Sequence, residues 1–164
     1  MTSVEALFKI SVIDGALAIK QHIENYPECD VHTAVRHLRG GPASLASLDY
    51  DRASELIERV GFSVLSDAVG RDAQLRKTIF NLALELRPFW ARVAHLGRQR
   101  VLNVINEDQY QCLLLAQLLE RVPSPDSAKW WDEIAAAARS EEEHRKIEIG
   151  REGERRTLKY EREK

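Results

Sequence analysis

The chain has 164 residues, of which 44% are hydrophobic, enough for one domain with a real core, or one domain plus an extension. Its 24 basic and 26 acidic residues leave a net charge of −2, which argues against a protein built mainly to hold nucleic acid. No apolar run reaches the roughly 18 residues a membrane span needs. The opening MTSVEALFKI lacks a signal-peptide pattern, and two distant cysteines, Cys29 and Cys112, fit reduced thiols in a cytoplasmic protein.

In chain order, Val4, Leu7, Phe8, Val12, Leu17, Ile19 and Ile23 recur at helical spacing and predict a helix over residues 4–26, ended by Pro27. Asp30 caps a second helix over 31–39, which Gly40-Gly41-Pro42 stops. After a short segment, 43–48, Asp49 or Asp51 caps a helix carrying Ala53, Leu56, Ile57 and Val60, with Gly61 as its stop. Phe62-Ser63-Val64-Leu65 is the best strand candidate. Asp72 caps the next helix, through Leu75, Ile79, Leu82 and Leu86; Pro88 then opens a segment over 89–96 that Gly97 closes. Asn106 caps a helix carrying Tyr110, Leu113, Leu114, Leu118 and Leu119. Val122-Pro123-Ser124-Pro125 is a clear break, with Ser124 as the cap of a last helix that runs toward Lys164, apolar as far as Ala138 and densely charged beyond it.

These elements predict a mainly α fold: a multi-helical domain over 1–122, with room for a small winged-helix-like β-hairpin, then a long charged helix over 123–164. Its core is expected from helices around 4–26, 72–86 and 107–120. The stretch 32–70 suits a winged-helix unit, but its third helix, with Asp51, Glu55 and Glu58, is too acidic for a convincing groove reader.

Near the C-terminus, the run Ile149-Gly150-Arg151-Glu152-Gly153-Glu154 and on through Tyr160-Glu161-Arg162 resembles the opening helix of the NO VEIN C-terminal domain family. The resemblance covers about the last tenth of the chain. It implies a bacterial, restriction-type or antiviral defence context, with an Mrr-like nuclease domain whose centre lies on a downstream strand bearing Glu-x-Lys. No Glu-x-Lys occurs in this sequence. A metal-dependent phosphodiester centre needs grouped carboxylates and a lysine, and Glu154 alone cannot supply them. The expectation is a non-catalytic interaction or targeting module, not an enzyme by itself, that positions or assembles a downstream nuclease-like domain.

Three groups of residues bear on binding. Arg87, Arg92, His95, Arg98 and Arg100, interleaved with Phe89 and Trp90, form a basic cluster for DNA phosphates, the alternative function; a solvated basic face is the plainer reading. Trp130 and Trp131 lie about 100° apart on one helix, so one is expected in the core and the other at a partner, the plainer alternative being that both are core; Leu158 and Tyr160 are expected to pack on a protein partner, the following domain or a second copy. Cys29, His32 and His37 have ligand chemistry, but His32 and His37 splay around a helix and no further pair completes a set, so neither metal nor cofactor is expected.

Overall fold

The protein is described by a computed structural model over residues 2–162. Helix α1 spans Ile10–Asn25, α2 Val31–Arg39, α3 Ala43–Ala46, α4 Tyr50–Val60, α5 Arg71–Leu86, α6 Phe89–Arg92, α7 Arg98–Leu102, α8 Glu107–Leu115 and α9 Pro125–Arg162. Among the described residues there is no strand, so the chain is mainly α and ends its described part in one long helix.

Side-chain caps set four of the helix starts. Asp30 Oδ1 accepts from the Thr33 amide at 2.7 Å, Asp49 Oδ1 from the Arg52 amide at 3.2 Å, and Ser124 Oγ from the Ser127 amide at 3.2 Å. Asn106 and Gln109 form a reciprocal capping box, at 2.9 and 3.0 Å. Asp72 is not a cap: Gly70, at φ 93°, takes that place, and Asp72 sits in the first turn, where it pairs with Arg76 at 3.2 Å.

Burial sets the interruptions. The first apolar stretch is not one helix from Val4. A 3-10 turn over Glu5–Leu7 gives way to extended Lys9 before α1 begins. Adjacent side chains on a helix diverge by about 100°; the break lets both Leu7 and Phe8 bury completely. Likewise α8 stops at Leu115. Gln117 adopts φ 57°, and Leu118 turns into the core as a loop residue, while Tyr110, Leu114 and Leu115 on the helix stay exposed. The expected 89–96 segment splits into α6 and a 3-10 turn over Ala94–Leu96, with Pro88 as cap rather than first helical residue.

The strand expected at 62–65 is instead a 3-10 turn over Phe62–Val64 leading to Leu65. Its neighbourhood shows why no ladder is needed. The Val64 carbonyl accepts from Asn81 Nδ2 at 3.0 Å, the Leu65 carbonyl from Lys20 Nζ at 2.7 Å, and the Ser66 amide donates to Thr78 Oγ1 at 3.0 Å. Side chains of α1 and α5 satisfy backbone groups that a second strand would otherwise have to meet.

Helix α1 packs against α2, α4 and α8, and α5 against α4, α8 and α9. The core joins Val12, Ile13 and Ile19 of α1, Leu56 of α4, Leu75, Ile79 and Leu82 of α5, and Ile134 of α9; α4 and α9 thus contribute beyond the three expected helices. At the α1–α4 crossing a Cβ on Gly15 would lie 3.0 Å from Ala53 Cβ, so the two helices approach where only glycine fits without adjustment. Gly15→Val is expected to destabilise the protein by about 1–3 kcal/mol through overpacking, read as a lower urea midpoint with an unchanged slope.

Glu55 ties the N-terminus to α4. It accepts from the Thr2 amide at 2.9 Å, from the Thr2 hydroxyl, and from Arg59 Nη2 at 2.6 Å. The Thr2 hydrogen bonds, and after them Arg59, hold its carboxyl below the ordinary value. A carboxyl with a lowered folded-state pKa adds stability above its unfolded pKa and loses it as the pH falls through the folded one. The difference in urea midpoint between the wild type and Glu55→Gln should therefore be largest at neutral pH and shrink on acidification through the carboxylate range.

Candidate functional site

The tryptophans decide how α9 is seated. Trp130 stacks on Trp90 with centroids 6.4 Å apart and an interplanar angle of 16°, and meets Phe80 and Trp131 edge-on. Its indole N–H donates to the Arg76 carbonyl at 3.0 Å, and that of Trp131 to the Leu118 carbonyl at 2.9 Å. Both are buried, at 5% and 9% exposure. Neither indole is therefore left for a partner: the adjacent pair fills two sides of one seat, because the helix crosses a corner made by α5, α6 and the loop after α8.

Beyond this seat a groove of about 470 Å³ lies between α9 and the α5–α6 corner, lined by Leu84, Arg87, Arg92, Ile134, Glu141 and His144 among others. The five basic residues read as a cluster in sequence do not act together here. Arg87, left-handed at φ 48°, donates to Glu141 Oε1 at 3.0 Å. Arg92 lies over the Phe89 ring at 5.6 Å, and His95 Nδ1 is 2.9 Å from the Arg92 carbonyl. Arg98 donates to the Glu120 carbonyl at 3.0 Å and covers the Trp131 ring at 5.9 Å. Arg100 is exposed on α7. Phe89, Arg92, His95, Glu141, Glu142 and Arg145 share a second groove, so acidic groups face the cations. The Glu142 carboxyl is held below its ordinary value, first by the Arg145 hydrogen bond.

From Glu143 to Glu161 every side chain of α9 is exposed. Leu158 and Tyr160 stand on this outer half together with Ile147 and Ile149.

The cysteines occupy different environments. Cys112 is buried in α8, where desolvation, helped by Asp108 and Asp14, pushes its thiol up to about 12. Cys29 is half-buried in the turn between α1 and α2. It lies near His22 and His37: one ligand atom from each of the three falls within 4.8 Å of the other two. His32, grouped with Cys29 and His37 in sequence, is not in this group, and His22, which no local motif marks, takes its place. Its signal is positional: the last turn of α1 comes alongside the last turn of α2 where the two helices pack.

No family model matches the chain, and no curated protein and no solved structure matches it.

The contrast between the thiols is measurable. Under native conditions at mildly alkaline pH, a disulfide exchange reagent should titrate one thiol, and Cys29→Ser should remove it. The second should react only after denaturation.

Proposed function

We propose that the chain is an interaction module: a helical body that carries a helical arm, the outer half of α9, built to be enclosed by another folded unit. The observation that carries this reading is the placement of apolar side chains on an otherwise charged arm. Ile147 and Leu158 are eleven residues apart, so they fall about 20° from each other around a helix, and so do Ile149 and Tyr160. The two pairs lie on nearly opposite faces. A single coiled-coil seam would want one stripe. Two opposed stripes suit a helix covered on both sides, as an opening helix inside a domain would be.

The arm from residue 143 to 162 extends about 30 Å. A solvated helix of that length is marginal by itself. Local ion pairs support it, among them Arg145–Glu142 at 2.6 Å and Arg156–Glu152 at 3.0 Å, each worth a few tenths of a kcal/mol. Such an arm holds direction until a partner encloses it. The resemblance of 149–162 to the opening helix of the NO VEIN C-terminal domain supplies the class of partner: a nuclease-like domain of a bacterial defence protein, in the cytoplasm. In this reading the chain positions that domain and performs no chemistry itself.

The alternative, DNA binding through Arg87, Arg92, His95, Arg98 and Arg100, has against it the carboxylates Glu141 and Glu142 in the same grooves. Phosphate contacts would give an affinity that falls steeply with salt, and a salt titration with duplex DNA separates the two readings.

The arm is tested by sedimentation of the chain with a separately expressed nuclease-like domain of the resembling family. The wild type should form a complex, and Ile149→Asp combined with Leu158→Asp should abolish it. Because both positions are exposed, the thermal midpoint of the body should move by no more than about 0.5 kcal/mol equivalent per site. Absence of a complex with the wild-type chain overturns the reading.

A further inference from the structure

The histidine–cysteine group where α1, the turn after it and α2 meet has features that an interaction module does not use. His22 stands in the last turn of α1, His37 in the last turn of α2, and Cys29 in the turn that joins the helices. His22 Nε2 and His37 Nδ1 are 3.2 Å apart, and their rings meet at 69° with centroids 5.3 Å apart. The Tyr26 ring lies against His22 at 4.8 Å and limits its rotation.

We propose that His22, Cys29 and His37 form a transition-metal site of the zinc class, with His22 Nε2, His37 Nδ1 and the Cys29 thiolate as ligands and a fourth position left for water or an incoming ligand. Two imidazole nitrogens bound tetrahedrally at about 2.0–2.1 Å from zinc lie about 3.3 Å from each other. The observed 3.2 Å is that edge of the tetrahedron. A nitrogen–sulfur edge is about 3.6 Å on the same geometry. Cys29 Sγ lies within 4.8 Å of a ring nitrogen of each histidine, so closing to that edge takes a shift of about 1.2 Å or less. Its turn allows this, since Tyr26, Pro27 and Glu28 are exposed and the turn is held by the Cys29 amide donating to the Tyr26 carbonyl at 2.9 Å.

The ligand types also select the metal. One thiolate and two neutral imidazoles suit a borderline ion such as Zn²⁺ and disfavour the hard cations, which prefer oxygen. Glu28 and Asp30 flank Cys29 in sequence and add negative charge beside a cation. Without metal, the two histidines at this distance share a single hydrogen bond, with one ring donating and the other accepting. That arrangement gives the thiol no role.

A bound ion would cross-link two helix ends and the turn between them, so its binding energy would add to the stability of the folded state. The spacing, His22 to Cys29 to His37, is read only after α1 and α2 have paired, unlike the short motifs of zinc fingers.

The test is titration of the purified full chain with Co²⁺, followed by displacement with Zn²⁺. A stoichiometric site gives tetrahedral d–d bands and a thiolate-to-cobalt charge-transfer band at one equivalent, both erased by Zn²⁺. Cys29→Ser should eliminate the charge-transfer band. His22→Gln and His37→Gln should each weaken binding by about tenfold or more, while Cys112→Ser leaves the spectrum unchanged. Circular dichroism melts without metal keep loss of folding distinct from loss of a ligand. The absence of a charge-transfer band in the wild type overturns the proposal, and so does metal binding that survives all three substitutions.

Discussion

The stack of Trp130 on Trp90 is the contact on which the rest of the structure depends. Trp90 is nearly fully buried and meets Phe8 edge-on at 5.5 Å, so the stack reaches from α9 through α6 to the N-terminal segment. Large aromatic surfaces contribute area burial together with about 0.5–1.5 kcal/mol from ring geometry. The indole N–H groups of Trp130 and Trp131 add direction, because each donates to a backbone carbonyl, one in α5 and one in the loop after α8. Position and tilt of α9 follow from these contacts. The first third of the helix becomes core, and the rest is carried outward along the axis so defined. The two grooves beside α6 and the exposure of Leu158 and Tyr160 are consequences of that seat.

Much of the fold was legible in the sequence because it rests on short-range chemistry. Asp30, Asp49, Asn106 and Ser124 act as caps where the sequence put them, and Pro27, Gly61 and Gly97 fall at breaks. What was not legible depends on three dimensions. Phe8, Gln117 and Val93 mark interruptions that no local signal announces; they exist because Leu7 with Phe8, and Leu118, have to enter one core. The run Phe62-Ser63-Val64-Leu65 has strand-like composition, but its Val64 and Leu65 carbonyls are claimed by Asn81 and Lys20 from other helices. Composition reports what a segment can do, and tertiary partners decide what it does.

The candidate sites follow the same division. The basic residues between Arg87 and Arg100 are close in sequence, yet a left-handed Arg87 and the turn at Gly97 send them to different partners, two of which lie on α9 or the loop before it. Conversely, His22 and His37 are fifteen residues apart and invisible as a motif, and only the pairing of α1 with α2 brings them to 3.2 Å. His32, the nearer histidine in sequence, starts α2 rather than ending it.

The division of α9 into a seated part and an outward arm is what hydrogen exchange measures directly. Amides from residue 129 to 138 should exchange at rates set by global unfolding, matching those in α5, while amides from residue 145 onward should exchange fast, as expected for a solvated helix with few buried contacts. Equal protection along all of α9, or fast exchange around Trp130 and Trp131, would contradict the account.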